Sequence, residues 1–476
     1  MSALEKVHGH IEAHFDEHLE RTKAFVRQPS ISADGTGMAE MAELVAAQIR
    51  EAGGEAEIVP TPGYPVVYGE IDAGAPKTLL VYGMYDVQPV LGETWAVSDP
   101  FGGEIMDDAT ELAEVLPGVG PCLVNRGIFN SKGPLIGVFN ALQSFRATGE
   151  PYPVNLKFMV EGEEEMGSRN LPGFVEAYQD RLQADFAFFG FYAQDLKGKV
   201  IMHLGVKGIL FMEMIARGGD WGGPTTRGIH GSNAVWFHSP TWALLQALSS
   251  MFTPDQKHIL IDGFYDDIAS PSAEDEELLQ RLMATFTPEV QLQANEVRRY
   301  KYDLTGADLM RKYLYQPTLN IDGIISGHTA EGTKTLLPHE ARAKVDIRMV
   351  PNMRPEKMLQ LLKDHLARHG YADKIEVQVE DSYPPAKIRL GGNPAGEALL
   401  KTYRDLGHEP EIWPHLAGSA PFYLFTEVLN IPTAMGGLGH GGRAHSPNEY
   451  VTLEGMKDYD CLLYTSDAAD DNRVGG

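Results

Sequence analysis

The sequence predicts an α/β protein of two domains, with the second domain inserted into the first. Short apolar runs alternate with amphipathic helical segments over residues 1–205, the pattern of a sheet flanked by helices. Over residues 206–384 the order changes to two β-α-β units, typical of a ferredoxin-like α+β domain. The first pattern resumes over residues 385–460. A chain of 476 residues is also long enough to form two cores.

The first domain is predicted from its apolar periodicities. Helical spacing covers residues 7–28 and 40–52, and Gly53-Gly54 ends the second helix. Apolar runs predict the strands, and the run at 78–82 is apolar on both faces, which indicates a strand of a central mixed, mostly parallel sheet. The predicted strands are 56–59, 66–69, 78–82, 155–160 and 185–189, with a further helix at 133–148.

The inserted domain and the return to the first domain follow the same logic. Strands are predicted at 208–216, 341–350 and 374–379, and helices at 241–251, 355–369, 395–406 and from 452 onward. From Cys461 the sequence CLLYTSDAADDNRVGG does not continue the last helical pattern. We therefore interpret residues 461–476 as a non-native tail and exclude them from the predicted fold.

Composition excludes several classes of partner. The formal net charge of −26 repels nucleic acid and anionic membranes. No run of about 18 apolar residues is present, and the N-terminal segment lacks an apolar signal core. Cys122 and Cys461 are too few for a disulfide framework. We expect a cytoplasmic protein that acts on a small molecule and binds neither nucleic acid nor membrane.

Four polar segments lie where α/β sheets place their functional sites, after the carboxyl ends of strands or late in the chain. They read YGMYDVQP at 82–89, NRGIFNSKGP at 125–134, EGEEEMGS at 161–168 and GHGGRAHSPNE at 439–449. In these segments, and in GTKT at 332–335, the chain resembles the zinc exopeptidases. This family includes aminoacylase, carboxypeptidase G, succinyl-diaminopimelate desuccinylase and the cytosolic dipeptidases. The resemblance covers about residues 1–459 and implies a homodimer that forms through the inserted domain, which acts as a lid.

The resemblance implies a metal site of which half is lost. The family binds two metals that share a bridging aspartate. The exclusive ligands of one metal correspond to Glu165 and His445, which are retained. Those of the other metal correspond to Met84 and Phe191, whose thioether and phenyl groups bind zinc or manganese poorly. The bridging position is Asn130, which lacks the charge. We therefore expect one divalent ion, manganese or zinc, held by Asn130, Glu165 and His445.

Further roles follow from the same resemblance. Glu164 matches the general base. His230 matches a histidine that stabilises the oxyanion in the partner subunit's site. Arg348 matches the arginine that binds a substrate carboxylate through a bidentate fork. Met84 and Phe191 either pack in the core or line a substrate pocket.

Two positions depart from the family pattern. Asp86 matches the residue that orients the lost histidine, so it either pairs with Lys132 or has no partner. HLAGS at 415–419 stands where the dipeptidases read REGGS. The loss of this arginine and glutamate, which clamp one end of a peptide, argues against peptides as substrates.

Three functions remain open. The favoured one is hydrolysis of a C–N bond in a small carboxylate-bearing aromatic substrate, with one metal-activated water and Glu164 as base. Its specific case is release of ammonia from an aromatic amine, as in 5-nitroanthranilate aminohydrolase, a one-metal member of the family. The first alternative is an amidase or dipeptidase of the same family. The second is a metal-free binding protein, against which the retained Glu164, Glu165 and His445 argue, because a buried carboxylate pair is costly without a cation.

Overall fold

The protein forms two compact units. The computed structural model describes residues 3–107, 118–294 and 297–462. Unit 1 comprises Met1–Leu204, Ile388–Trp413 and Leu424–Gly476, and unit 2 comprises Gly205–Lys387 and Pro414–Tyr423. Residues 385–387 and 414–423, which are predicted from sequence in the first domain, belong to unit 2. A strand in each of these segments pairs with the long strand that opens that unit.

The described part of the chain contains the following strands and helices. In chain order the strands are β1 (Glu55–Val59), β2 (Val66–Ile71), β3 (Thr78–Met84), β4 (Glu104–Met106), β5 (Cys122–Val124), β6 (Asn155–Glu161), β7 (Phe186–Gly190), β8 (Ile201–His203), β9 (Gly205–Arg217), β10 (Ile229–His230), β11 (Thr318–Ser326), β12 (Leu336–Leu337), β13 (Glu340–Met349), β14 (Ile375–Tyr383), β15 (Ala386–Lys387), β16 (Glu411–Trp413), β17 (Leu416–Ser419), β18 (Thr433–Gly436), β19 (Gly441–Gly442) and β20 (Tyr450–Thr452). The α-helices are Ala3–Ala13, Phe15–Arg27, Met38–Glu51, Lys132–Thr148, Leu171–Ala177, Gln179–Leu182, Pro240–Ser250, Ala273–Leu282, Pro288–Ala294, Gly306–Tyr315, Pro355–Arg368, Pro394–Asp405 and Leu453–Leu462.

A six-stranded mixed sheet forms the centre of unit 1, as the sequence predicts. Its order is β1-β2-β6-β3-β7-β18. The strands from β6 to β18 are parallel to one another, while β1 and β2 pair in antiparallel fashion. The helices Met38–Glu51 and Lys132–Thr148 bury apolar side chains in the same core as this sheet. The carboxyl ends of four parallel strands therefore meet at one edge.

A smaller antiparallel sheet of unit 1 positions two further segments. Its order is β19-β20-β5-β4. The loop after β5 carries Asn130, and the turn between β19 and β20 carries His445. Because β20 pairs with β5, these two segments come from neighbouring strands of one sheet.

Unit 2 has the ferredoxin-like arrangement that the sequence predicts. Its sheet runs β11-β13-β9-β14, and every neighbouring pair is antiparallel. The helices Pro240–Ser250 and Pro355–Arg368 pack on one face of this sheet. The sequence analysis missed β11 because most of its side chains are exposed, so no apolar alternation marks it. It also missed the helices Ala273–Leu282 and Gly306–Tyr315.

Both ends of unit 1 differ from the prediction. The single helix expected over residues 7–28 is two helices, because His14 leaves the helical conformation with φ −121°. The C-terminal helix continues through Cys461 and Leu462, which the analysis had assigned to a non-native tail. Leu462 is 1% exposed, so packing extends the helix to this point; residues 463–476 lie outside the described residues. No helix of the described chain has the length and apolar character that a membrane span requires.

Candidate metal centre

An apolar row lies at the two positions that the resemblance assigns to lost metal ligands. Met84 ends β3, is 3% exposed, and lies in register with Glu161 of β6. Phe191 directly follows β7, the neighbour of β3 on its other side. The Phe191 ring lies 5.9 Å from that of Phe189, which in turn lies 5.4 Å from Tyr82. This part of the edge offers a thioether and aromatic rings, which suit apolar packing and not a hard cation.

The three retained ligand candidates come together in unit 1. Glu165 Oε2 lies 3.0 Å from His445 Nε2. Asn130 Nδ2 lies 2.7 Å from Glu165 Oε1 and 2.9 Å from His445 Nε2. The Glu165 side chain is 3% exposed and that of His445 is 53% exposed. A buried carboxylate and a solvent-accessible imidazole thus converge on one amide.

These three contacts cannot all be hydrogen bonds. If His445 Nε2 is protonated and donates to Glu165, it cannot also accept a hydrogen bond from the amide N–H of Asn130. If Nε2 is bare, its lone pair faces the carboxylate. Asn130 Oδ1 here accepts from the Ser131 hydroxyl at 2.8 Å, but amide oxygen and nitrogen are nearly equivalent in shape. A cation facing a carboxylate, an imidazole and a rotated amide oxygen would remove the conflict.

The donor set therefore fits one divalent ion. A carboxylate oxygen, an imidazole nitrogen and an amide oxygen suit zinc or manganese, and three protein donors leave a position open. Among the described residues, no three histidine, cysteine, aspartate or glutamate side chains lie together so that they could hold a metal. This site is not such a group, because its third donor is the Asn130 amide. Asn130 differs from the expectation in one respect: as placed, it turns its nitrogen toward the site.

Asp86 has a different partner from the one expected. It is fully buried, and its two carboxylate oxygens accept the backbone N–H groups of Glu164 and Glu165 at 3.2 and 3.0 Å. Burial, and then the nearby charge of Glu165, raises the pKa of Asp86 to about 7. Lys132 donates instead to two backbone carbonyl oxygens in the segment 26–28. Asp86 therefore holds the turn that carries Glu164 and Glu165, the proposed base and the proposed metal ligand.

Glu161 is a second buried carboxyl at this edge. Its Oε1 accepts from the Tyr82 hydroxyl at 2.5 Å and from the Ser168 hydroxyl at 2.9 Å. Within the described chain its Oε2 has no hydrogen-bond partner. Burial raises the pKa of Glu161 to about 8, which favours the neutral carboxylic acid at neutral pH.

Two residues that the sequence analysis did not single out contact this centre. Gln88 Nε2 donates to Glu165 Oε2 at 2.8 Å. Glu449 is wholly buried and accepts the backbone N–H of Asn130 at 2.8 Å. Both lie inside the polar segments described above, and their nearness in sequence to the predicted site residues was the only indication of a role that the sequence offered. Their side-chain directions depend on turns that the sequence does not specify.

The remaining predicted site residues lie in unit 2. Arg348 Nε donates to Asp346 Oδ1 at 3.0 Å and its Nη1 donates to Ser419 Oγ at 2.9 Å. His230 is exposed, and its Nε2 lies 3.0 Å from Thr335 Oγ1. Arg348 is 36% exposed at its side chain, so one face of the guanidinium remains accessible.

His415 is turned into the interior of unit 2. It is 1% exposed, and its Nε2 lies 2.5 Å from the carbonyl oxygen of Leu314. Burial lowers the pKa of His415 to about 4, which keeps it neutral. It therefore does not replace the arginine expected at this position as a clamp for substrate.

Comparisons with known proteins place this geometry in context. The sequence model of peptidase family M20/M25/M40 matches residues 80–464. A Cys-Gly metallodipeptidase of Schizosaccharomyces pombe is 27% identical over 384 residues, which cover 77% of this chain and 76% of the relative. The human Beta-Ala-His dipeptidase is 28% identical over 491 residues, covering 95% of this chain and 91% of the relative.

A solved structure shows the same similarity over nearly the whole chain. The crystal structure of an M20 family metallo-carboxypeptidase from Sulfolobus solfataricus is 32% identical in sequence. The match has a TM-score of 0.83 and covers 94% of this chain and 99% of the other.

Proposed function

Because the chain belongs to peptidase family M20/M25/M40, we propose that it hydrolyses the amide bond of small dipeptides. It is a metal-dependent hydrolase of C–N bonds, as the family and the dipeptidase relatives indicate. The relatives favour the amidase or dipeptidase alternative over the release of ammonia from an aromatic amine, which we favoured from the sequence. They also favour an enzyme over a metal-free binding protein.

One observation carries this proposal: Asn130, Glu165 and His445 converge within 3.0 Å in an arrangement that a divalent cation would fit. A divalent ion held there would polarise the scissile carbonyl group and lower the pKa of a water molecule. We propose a single ion per chain, since Met84 and Phe191 offer no suitable donor for a second.

The chain's own residues supply the rest of the chemistry. Asp86 fixes the backbone N–H of Glu164, a residue that is partly exposed as a whole. We propose that its carboxylate takes a proton from water and passes it to the leaving amine. Arg348 presents its guanidinium beside Ser419 and would bind the carboxylate of a dipeptide. With His415 buried, this arginine carries the recognition of the carboxylate without the second clamp.

A substrate panel tests the proposed function. The purified chain is loaded with manganese or with zinc, and each form is assayed on Cys-Gly, on Beta-Ala-His, on a set of other simple dipeptides and on 5-nitroanthranilate. We expect hydrolysis of at least one dipeptide and no release of ammonia from the aromatic amine. Turnover of 5-nitroanthranilate with every dipeptide left intact would reject the dipeptidase proposal in favour of the aromatic-amine hypothesis.

We also propose that unit 2 forms a homodimer. The helix Pro240–Ser250 exposes Trp242 (65%), and the edge strand β11 exposes Ile324 (48%) and Ile325 (58%). The helix and the strand adjoin, because Thr241 Oγ1 lies 2.8 Å from Ser326 Oγ. Apolar side chains on both faces of an exposed strand edge favour pairing with a second copy. The proposed role of His230 in stabilising the oxyanion depends on this dimer. We also expect the protein to be cytoplasmic.

Sedimentation equilibrium tests the dimer. We expect the mass of two chains for the wild type and of one chain for Ile325→Asp, because a charge on the edge strand opposes pairing. Val379→Asp, at a residue that is also exposed but lies on β14 at the opposite edge of the sheet, is the matched control and should remain dimeric. A monomeric wild type, or equal dissociation of both variants, would contradict an interface at β11.

A further inference from the structure

We propose that Glu449 is a positioning residue that holds the loop of Asn130 against the turn of His445. The proposal rests on the proposed metal centre, because it concerns the separation of two of its three donors. Glu449 does not itself contact Glu165, His445 or the Asn130 side chain in the bonds described above. Its contacts with the centre are therefore made through the backbone, while its charge also acts on His445.

The carboxylate of Glu449 binds the Asn130 loop at four points. Its Oε1 accepts the backbone N–H groups of Phe129 at 2.9 Å and of Asn130 at 2.8 Å. Its Oε2 accepts the N–H of Gly127 at 3.1 Å and a guanidinium N–H of Arg126 at 2.9 Å. Hydrogen bonds to an ionised group are roughly twice as strong as neutral ones. One carboxylate thus accepts four N–H groups from the five residues between Arg126 and the proposed ligand Asn130.

The same residue is anchored to the segment of His445. Glu449 lies four positions after His445 in the turn that joins β19 to β20. Its carbonyl oxygen accepts the N–H of Asn125 at 3.0 Å, and Arg126 Nη1 also donates to the carbonyl oxygen of Ser446 at 3.2 Å. The loop and the turn are therefore joined both by main-chain bonds and by this carboxylate. A shift of the carboxylate would move Asn130 relative to His445.

The charge of Glu449 is what makes the arrangement specific. A glutamine side chain has a similar shape, but its NH₂ group would face N–H donors and would leave one or two of them unsatisfied inside the protein. The loop would then move to find other acceptors. For residues that orient metal ligands, loss of such a partner typically weakens metal binding by about 10–100-fold.

Glu93 offers a matched control. It also pairs with Arg126, at 2.7 Å, and accepts the indole N–H of Trp95 at 3.0 Å. Its hydrogen bonds in the described chain do not include the backbone N–H groups of residues 127–130. Glu93→Gln therefore removes a carboxylate from the same arginine but leaves the Asn130 loop bound to Glu449.

The experiment measures cobalt(II) binding and amide exchange. Cobalt(II) is titrated into metal-free wild type, Glu449→Gln and Glu93→Gln, and the dissociation constant is read from the visible absorption of the bound ion. We expect affinity to fall about tenfold or more in Glu449→Gln and to change less than about twofold in Glu93→Gln. Hydrogen–deuterium exchange of the metal-free proteins should be faster over residues 127–131 only in Glu449→Gln. Circular dichroism checks that each variant is folded.

Each outcome decides the proposal. Equal cobalt affinity in wild type and Glu449→Gln, or an equal loss in Glu93→Gln, overturns it while leaving the proposed function intact. If the wild type binds no cobalt, the proposed metal centre fails, and exchange alone decides: unchanged exchange over 127–131 overturns the positioning role and faster exchange supports it. If Glu449→Gln does not fold, Glu449→Asp is measured by the same criteria, since it keeps the charge but shortens the reach.

Discussion

Replacing Glu164 by glutamine is expected to lower kcat for dipeptide hydrolysis by about a thousandfold, within the range that general acid–base groups contribute. The amide keeps the size of the side chain but cannot accept a proton from water. Because Glu165 and His445 are unchanged, metal content should stay the same, and KM should change little. Steady-state kinetics on the best dipeptide of the panel, with metal analysis of the same sample, gives all three quantities.

The neighbouring Glu163 is the control for this variant. Both of its carboxylate oxygens accept from the Asn170 amide, at 3.0 and 2.8 Å, and it is 5% exposed. Glu163→Gln therefore changes a carboxylate in the same acidic turn that has no access to substrate, and we expect less than about a tenfold loss of kcat. A similar loss in both variants would show that the turn as a whole, and not the Glu164 carboxylate, is required.

The second large effect is expected from restoring the lost ligands. The triple variant Met84→His, Asn130→Asp, Phe191→Asp should bind about two ions per chain in place of one, because three donors suffice for each metal once the bridge carries a charge. Met84 and Phe191 already lie at the carboxyl edge of adjacent strands, and Asp86 is buried nearby. Isothermal titration with zinc measures the number of sites.

Asn130→Asp alone separates the two parts of this prediction. It adds charge to the retained site without adding ligands for a second metal, so we expect tighter binding of about one ion. A triple variant that still binds one ion would contradict the assignment of Met84 and Phe191 to the lost ligand positions.

Much of the fold could be predicted from sequence because burial imprints periodicity on it. The β3 run is apolar on both faces, which predicts a strand of a mixed or parallel sheet, and β3 does lie inside the mixed sheet between β6 and β7. The edge strand β11 carries mostly exposed side chains and was missed for that reason. Residues 414–423 were assigned to the wrong unit because a short strand shows no sign of the sheet it joins. The end of the last helix was missed because Leu462 is retained by tertiary packing.

The sequence could predict which residues form the candidate site, but not the directions in which their side chains point. The resemblance to the zinc exopeptidases brought Asn130, Glu165 and His445 into one hypothesis, and they do converge in the structure. The partner of Asp86 was wrong because its bonds go to backbone N–H groups, which every residue possesses and no sequence pattern marks. The role of Glu449 was missed for the same reason, because three of its bonds also go to backbone N–H groups.

The metal content of the wild-type protein tests the one-metal centre most directly. The chain is purified without chelators and analysed by elemental mass spectrometry, before and after loading with manganese or zinc, together with Glu165→Ala. We expect about one divalent ion per chain, lost in Glu165→Ala, because Glu165 supplies the only carboxylate among the three proposed donors. Two ions per chain in the wild type, or none after loading, would contradict it.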